Sequence, residues 1–256
     1  MKASIQFFGI PVDRFSADEL EHTLLSAING DELVTIATVN PEMLLTARVQ
    51  EGVRRALRRI TYRIPDGAGI SLVARLLGYG KLVRHPGSDM IIDICRLSRQ
   101  QNKRVLILGG WGTITKRAIA VLKRAFPGID VHGLSDVRIG IDREEWDQPH
   151  NLIDQISAHR PDVLAVALGG AGQERQERWI ADHAHKISGL KLAIGIGGAI
   201  DMIAGSTPRA PEWMQKVGIE WFWRLAIQPR RAGRIFRAVF VFPIRAVFDR
   251  MRRHEA

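Results

Sequence analysis

The chain has 256 residues, 46% of them apolar, a single cysteine and a formal net charge of +10. That length and apolar share suffice for one large or two small cored domains and exclude a disordered chain, while the lone Cys95 excludes an intrachain disulfide framework and most cysteine-based metal sites. The charge is lopsided: from Arg224 onward nine arginines face only Asp249 and Glu255, and such an excess among apolar residues suits an anionic surface.

The opening MKASIQFFGIPVDRFSADEL reaches acidic residues too early for a secretory signal, so the cytosolic side is the expected location. Residues Ile5 to Val12 carry the pattern of a short strand, and Ser16 with Glu19 forms a capping box for a helix over 17–29. LVTIATVN (Leu33 to Asn40) predicts a buried strand, with Pro41 opening a helix to about residue 50. TYRIPDG continues the alternation, followed by a helix from about Ala68 to Leu77. HPGSD (His85 to Asp89) predicts a loop ahead of a helix whose MIIDICRLS face places Cys95 in the core.

RVLILGG (Arg104 to Gly110) is the clearest internal strand; a helix ending near Phe126 to Gly128 leads from it to the strand IDVHGL. A loop around Ile139 to Trp146, a helix over Leu152 to His159 and the strand DVLAVALGG (Asp162 to Gly170) come next. KLAIGIGGA (Lys191 to Ala199) closes a last unit of strand, glycine turn and helix. Continuously apolar strands alternating with longer helices specify an α/β fold with a largely parallel sheet. Ligands in such folds sit beyond the C-terminal ends of the strands. No G-x-G-x-x-G opens the first unit and no G-x-x-x-x-G-K-[ST] occurs, so neither a nicotinamide dehydrogenase nor a P-loop ATPase has motif support.

The residues that follow strands therefore carry the chemistry. Asp66, in IPDGAG, follows an apolar stretch and precedes Gly67, which permits close backbone approach; its carboxylate fits a general base or an ordinary helix cap. Thr38 and Asn40 occupy the matching place on the preceding strand and suit a hydroxyl-rich ligand, although Asn40 before Pro41 is also a regular N-cap. Ser88 and Asp89 offer hydrogen bonds to a ligand hydroxyl or cap the next helix, and Gly110 ends the central strand. GGAGQERQERWI (Gly169 to Ile180) joins a glycine turn containing Gly172 to a helix onset with Gln173, Glu174, Arg175, Gln176 and Glu177, where backbone donors suit an anion. Gly197, Gly198 and Asp201 repeat the arrangement. Arg209, Arg224, Arg230 and Arg231 supply forks able to neutralise a departing diphosphate without a metal, and no D-x-D pair is present. The eight histidines form no H-E-x-x-H pattern, and no metal site is expected.

The tail IFRAVFVFPIRAVFDRMRR interleaves arginines with Ile235, Phe236, Val239, Phe240, Phe242, Ile244, Val247 and Phe248. Its apolar run is too short to cross a bilayer, and Pro243 is expected to split or kink a helix. A surface-lying membrane segment competes with a terminal helix on the core, a homo-oligomer contact and a nucleic-acid surface. Nucleic acid is disfavoured because no recognition motif accompanies the arginines. Trp213, Trp221 and Trp223 precede the tail and suit either an interfacial depth or a core.

Together, TVNPEMLL, IPDGAG, the PGSD loop, RQERWI and GGAIDMIAG…PRAPEWMQKVGIEWFWRLAIQPRR closely resemble the WecG/TagA/CpsF family of bacterial glycosyltransferases, over roughly residues 8 to 237. The resemblance implies a Rossmann-like core over 1–208 and a C-terminal appendage over 209–256 that completes the active site at the membrane. It implies transfer with inversion, from a UDP-sugar (hexose, N-acetylhexosamine or uronate) to a polyprenyl-diphosphate-linked saccharide in surface polysaccharide synthesis, by a peripheral protein on the inner face of the cytoplasmic membrane. UDP-sugar is then a substrate, with no cofactor or metal required. Asp66 matches the position of a catalytic base, Thr38 and Asn40 the motif beside the sugar pocket, and Gln176 the glutamine of a glycine-proline-x-glutamine-glutamate region. Arg209, Arg224 and Arg231 match cationic positions for diphosphate or lipid. This chain departs at Glu174, where the family often has proline, and the departure falls on the donor pocket. A non-catalytic nucleotide-sugar-binding scaffold at the membrane is the alternative.

Overall fold

Strands that are apolar on both faces need helices on both faces, and the computed structural model of the chain has that layering. It describes residues 3–142, 145–168, 174–217, 219–227, 229 and 232–254. In chain order the elements are β1 (Ser4–Phe7), β2 (Ile10–Asp13), α1 (Ala17–Asn29), β3 (Val34–Val39), α2 (Pro41–Val49), α3 (Glu51–Arg59), β4 (Tyr62–Pro65), α4 (Ala68–Leu76) and α5 (Gly87–Gln100). Next come β5 (Arg104–Gly109), α6 (Ile114–Ala125), β6 (Asp130–Leu134), β7 (Gly140–Asp142), β8 (Glu145–Asp147), α7 (Leu152–Ala158), β9 (Val163–Ala167) and α8 (Arg175–His183). The chain then runs through β10 (Leu192–Gly195), α9 (Ala199–Ile203), α10 (Glu212–Val217), α11 (Glu220–Ile227), α12 (Ala232–Phe236) and α13 (Phe242–His254).

Six strands form one sheet in the order β4-β3-β10-β9-β5-β6, and every pairing is parallel. Alternate residues of each strand feed opposite layers. Ile36, Val105, Ile107, Val163, Ala165, Leu192 and Ile194 pack with the buried faces of α1, α5, α6 and α9. On the other side, Leu106, Leu108, Leu164 and Val166 meet α7 and α8, while Ala37 and Val39 meet α2, α3 and α4. Cys95 is fully buried in the first layer, and burial pushes its thiol up to about 12, which leaves it inert.

Three local features differ from the expectation. Residues 5–12 form an antiparallel hairpin, not one strand, because Phe8 and Gly9 both take positive φ and reverse the chain in a two-residue turn. The hairpin lies outside the main sheet and is fastened to it by a buried pair: Asp13 Oδ2 accepts from the Arg63 N–H at 2.7 Å and from Arg63 Nη2 at 3.0 Å. The expected loop near residues 139–146 contains the short β7–β8 pair. Extended Gln50 stops α2, and α3 follows as a separate helix absent from the pattern reading.

Pro243 does not split the tail: Ala232–Phe236, Arg237–Val241 and Phe242–His254 are helical in succession. It is the second residue of α13. The preceding turn, Arg237–Val241, is π-helical and shifts the hydrogen-bond register before the proline is reached. Phe242 is fully buried against Phe7 and Phe8, with ring centroids 5.6 and 6.0 Å away, and Ala246 joins the same cluster. No helix among the described residues is long and apolar enough to cross a membrane.

Candidate functional site

Parallel strands deliver their C-terminal ends to one edge of the sheet, and a cleft of about 420 Å³ opens there. Asp66 enters it from the turn after β4; its N–H donates to the Val39 carbonyl of β3 at 2.7 Å, which ties the turn to the neighbouring strand end. Gly67, at φ +89°, makes the sharp entry into α4 directly behind Asp66 and does not itself line the cleft. Thr38 and Asn40 line it from β3 and the start of α2. Asn40 Oδ1 also accepts from the Met43 N–H at 3.0 Å, so it is the helix cap as well.

Ser88 lines the cleft in the first turn of α5, where a helix presents unpaired N–H groups and the positive end of its dipole. That turn comes close to β3: a Cβ on Gly87 would stand 3.3 Å from Thr38 Oγ1, tighter than an ordinary contact. Asp89 is not in the lining. Both of its oxygens are taken by Arg209, at 2.6 Å from Nη1 and 2.9 Å from Nη2, so it orients that guanidinium at the cleft wall. The Asp89 hydrogen bonds hold Arg209 above the ordinary arginine value, with the charges of Glu220 and Asp66 adding to the effect.

On the opposite wall Gln176 is clamped at both ends. Its Oε1 accepts from the Gly197 N–H at 2.9 Å and its Nε2 donates to Glu177 Oε1 at 2.6 Å. Asp201 lines the cleft from the first turn of α9. Gly110 does not reach it: at φ +79°, with Thr115 Oγ1 2.2 Å from where a Cβ would stand, it serves the turn after β5. Gly172, Arg230 and Arg231 lie outside the described residues, and Arg224 sits on α11 with its side chain outside them. Of the three tryptophans just ahead of the tail, Trp213 is exposed, Trp221 packs edge-on to Phe222 and Trp223 lines the cleft.

Three cleft carboxyl and guanidinium groups had no side-chain role from the sequence: Glu174 and Glu177, named only as part of the helix onset, and Arg234. Glu177 is fully buried and burial pushes its carboxyl up to about 7. Its signal was present: Glu177, Ile180, Ala181 and Ala184 follow the i, i+3, i+4, i+7 spacing of an inward face, and a carboxyl on such a face is anomalous. Glu174 begins α8 at φ +45°, a conformation closed to proline, and makes no side-chain cap bond. Burial first, then the charges of Glu177 and Glu42, push it up to about 8 against the pull of Arg234 and Arg237. Arg234, from α12, reaches back to the buried Glu42 of α2, with Nε 2.5 Å from Oε2, and lines the cleft. No local pattern joins residues 192 positions apart.

The far side of α8 is braced: Trp179 Nε1 donates to Gln148 Oε1 at 2.7 Å, and His183 stacks on the Trp179 ring at 5.1 Å. Burial lowers the His183 value and so favours the neutral ring. Among the described residues no group of three or more His, Cys, Asp and Glu side chains is arranged to hold a metal ion.

The sequence profile of the Glycosyl transferase WecG/TagA/CpsF family matches residues 5–256. The N-acetylglucosaminyldiphosphoundecaprenol N-acetyl-beta-D-mannosaminyltransferase of Bacillus spizizenii is 32% identical over 216 residues, covering 84% of this chain and 79% of that protein. Proteins of the same name are similar as well. That of Bacillus subtilis is 29% identical over 201 residues (78% of this chain, 74% of the relative), and one from Staphylococcus aureus is 26% identical over 238 (91% and 88%).

Proposed function

Because the chain belongs to the WecG/TagA/CpsF family of glycosyl transferases, we propose that it moves a sugar, with inversion, from a UDP-sugar to a polyprenyl-diphosphate-linked saccharide in surface polysaccharide synthesis. The observation that carries the reading is the meeting of Asp66 and the Asp89-braced Arg209 in one strand-end cleft. The relatives' names specify an N-acetylglucosaminyl-diphosphoundecaprenol acceptor and an N-acetylmannosaminyl group. The acceptor class is carried over here.

In this mechanism Asp66 takes the proton from the acceptor hydroxyl as its oxygen attacks the anomeric carbon, and the bond from that carbon to the UDP oxygen breaks on the opposite side. Negative charge then grows on the diphosphate. Arg209, held in a fixed orientation by two bonds from Asp89, meets that charge without having to reorganise, as does the N-terminal end of α5 at Ser88. Arginine forks make the step independent of a metal. Thr38, Asn40, Gln176 and Asp201 orient the sugar by hydrogen bonds.

The lipid-linked acceptor calls for a protein at the cytoplasmic face of the membrane. Support comes from the tail, where Phe236, Phe240, Ile244, Phe248 and Met251 are all exposed and recur at helical spacing along one stripe, with Arg245 and Arg250 beside them. Removing the tail would also remove Phe242 from the core, so the exposed stripe is the cleaner target. The double substitution Phe240→Ser, Phe248→Ser should lower co-flotation with anionic liposomes by roughly tenfold while leaving the melting temperature within a few degrees; unchanged flotation would remove the tail from the membrane reading and favour a subunit contact.

The central experiment offers a panel of UDP-sugars and a short-chain polyprenyl-diphosphate-linked N-acetylglucosamine to the wild-type and Asp66→Asn proteins. Product from at least one donor, lost in the folded variant, supports the transferase reading with Asp66 as base. Tight UDP-sugar binding with no product across the panel turns the reading toward a non-catalytic scaffold.

A further inference from the structure

We propose that α4, a helix of the core, is a second membrane-contact element: with the turn that follows it, α4 lays Leu72, Leu76 and Val83, framed by Arg75 and Lys81, on an anionic lipid surface beside the tail. This contact rests on the membrane reading of the tail and extends it to the helix that begins directly behind Asp66.

One face of α4 is already partnered. Ile70, Val73 and Ala74 are fully buried in the layer that also takes Phe242 and Ala246 from α13. The opposite face is open: Leu72 and Leu76, four residues apart and so neighbours along the helix, are 56% and 66% exposed. A single surface leucine is ordinary, but this pair does not stand alone. The tail runs beside α4 in the same direction. At the start of α4 a Cβ on Gly69 would stand 3.6 Å from the Ala238 carbonyl, and just past its end the Arg250 guanidinium lies over the Tyr79 ring at 4.5 Å. Two helices packed side by side thus each turn large apolar residues outward, Leu72 and Leu76 from one and Ile244, Phe248 and Met251 from the other. Joined exposed patches of this kind mark a docking surface.

Charge identifies what covers it. From Gly67 to Ser88 the chain has no acidic residue and carries Arg75, Lys81 and Arg84. Arg84 is turned toward Glu220 at 4.0 Å, whereas Arg75 and Lys81 are exposed, as is Arg245 on the tail. Leucines and phenylalanines set among cations suit an anionic bilayer, which receives the apolar side chains and the charges together. A second copy of the chain fits this face poorly: a two-fold contact would set Arg75, Lys81 and Arg245 against their own counterparts, with Asp249 the one acid on either helix. The position also serves the reaction. Leu72 and Leu76 follow Asp66 by six and ten residues, roughly 9 to 15 Å at about 1.5 Å per residue, so a bilayer that receives them holds its head groups within reach of the base.

The test floats the full chain with vesicles of phosphatidylcholine containing phosphatidylglycerol and with vesicles of phosphatidylcholine alone. It compares wild type with the pairs Leu72→Ser, Leu76→Ser and Arg75→Gln, Lys81→Gln, and with the tail pair Phe240→Ser, Phe248→Ser. On the anionic vesicles each α4 pair should lower the partition coefficient by ~10-fold, and the cation pair should have no effect on the neutral ones. Both α4 pairs should transfer to a water-soluble short-chain acceptor within about twofold of wild type, and to a long-chain acceptor embedded in anionic vesicles ~10-fold more slowly. Flotation that falls for the tail pair and is unchanged for both α4 pairs overturns the proposal and leaves the membrane reading to the tail. A wild type that does not float removes both. A wild-type dimer in sedimentation that an α4 pair dissociates, with flotation unchanged, gives the face to a second copy and overturns the proposal as well. If no sugar is transferred, flotation still decides, and the transferase reading alone falls. Should the leucine pair fail to fold, the cation pair decides.

Discussion

At the start of α1 the Glu19 N–H donates to Ser16 Oγ at 3.2 Å and the Ser16 N–H donates to Glu19 Oε2 at 2.7 Å, whereas at the start of α8 Glu174 has no cap bond and a left-handed backbone. The same contrast runs between the buried carboxyls. Asp13 is paired with Arg63 through side chain and backbone, but Glu177 keeps one oxygen unpaired. The contrast is between these two carboxyls and not between whole regions: Arg63 Nε and Ser98 Oγ of the scaffold are also buried without a partner, and Arg209, Gln176 and Arg234 of the cleft are internally bonded. An unpaired carboxyl oxygen keeps an acceptor open, whereas a braced group such as Arg209 meets a ligand with its orientation already set.

Substitutions of paired and unpaired groups should therefore differ in sign as well as size. The largest effect belongs to Asp66→Asn, which removes the base at the cleft: turnover should fall by ~10²–10⁴ while the folded protein melts within a few degrees of wild type. Steady-state transfer with a parallel melting curve checks this, and undiminished turnover assigns the base elsewhere. Next in size is Asp13→Ala, which strands a buried guanidinium and should cost about 3–5 kcal/mol in denaturant unfolding. A loss under about 1 kcal/mol would mean that the Arg63 bonds to the Leu57 and Ile60 carbonyls carry the hairpin by themselves.

Glu177→Gln sharpens the comparison through pH. A glutamate in the unfolded chain ionises near 4.5 and Glu177 in the folded chain at about 7. Between those values the unfolded state binds fewer protons, so stability falls as pH rises and the loss is complete above about 7. Glutamine has no proton to lose, and the variant should be more stable than wild type by on the order of 2 kcal/mol at pH 8, with little gain at pH 4. Thermal melts at the two pH values test it; an equal change at both would remove ionisation as the cause. Glu174, raised to about 8, adds to the same decline. The smallest effect is Ser16→Ala, which breaks a complete cap and should cost about 1 kcal/mol at every pH.

What was legible in the sequence was local. The capping box at Ser16, the cap and strand end at Asn40, the burial of Cys95 and the five other strands of the main sheet follow from spacing within a few residues, because helix and strand periods are local properties. The strand-end rule likewise drew attention to Thr38, Asp66, Gln176 and Asp201, the PGSD loop to Ser88 and the cationic residues to Arg209, all of which line one cleft. The same reasoning took a hairpin for a single strand, since nothing in an apolar run announces positive φ at Phe8.

Partnership is what the tertiary structure alone decided. Asp89 belongs to Arg209, 120 positions on, and Glu42 to Arg234, 192 positions on. Whether a carboxyl is a ligand contact, a brace or an unpaired acid depends on which distant cation the sheet order brings beside it. Chain order supplies the carboxyls and the arginines; the crossing of β10 and β9 between β3 and β5 determines which of them meet.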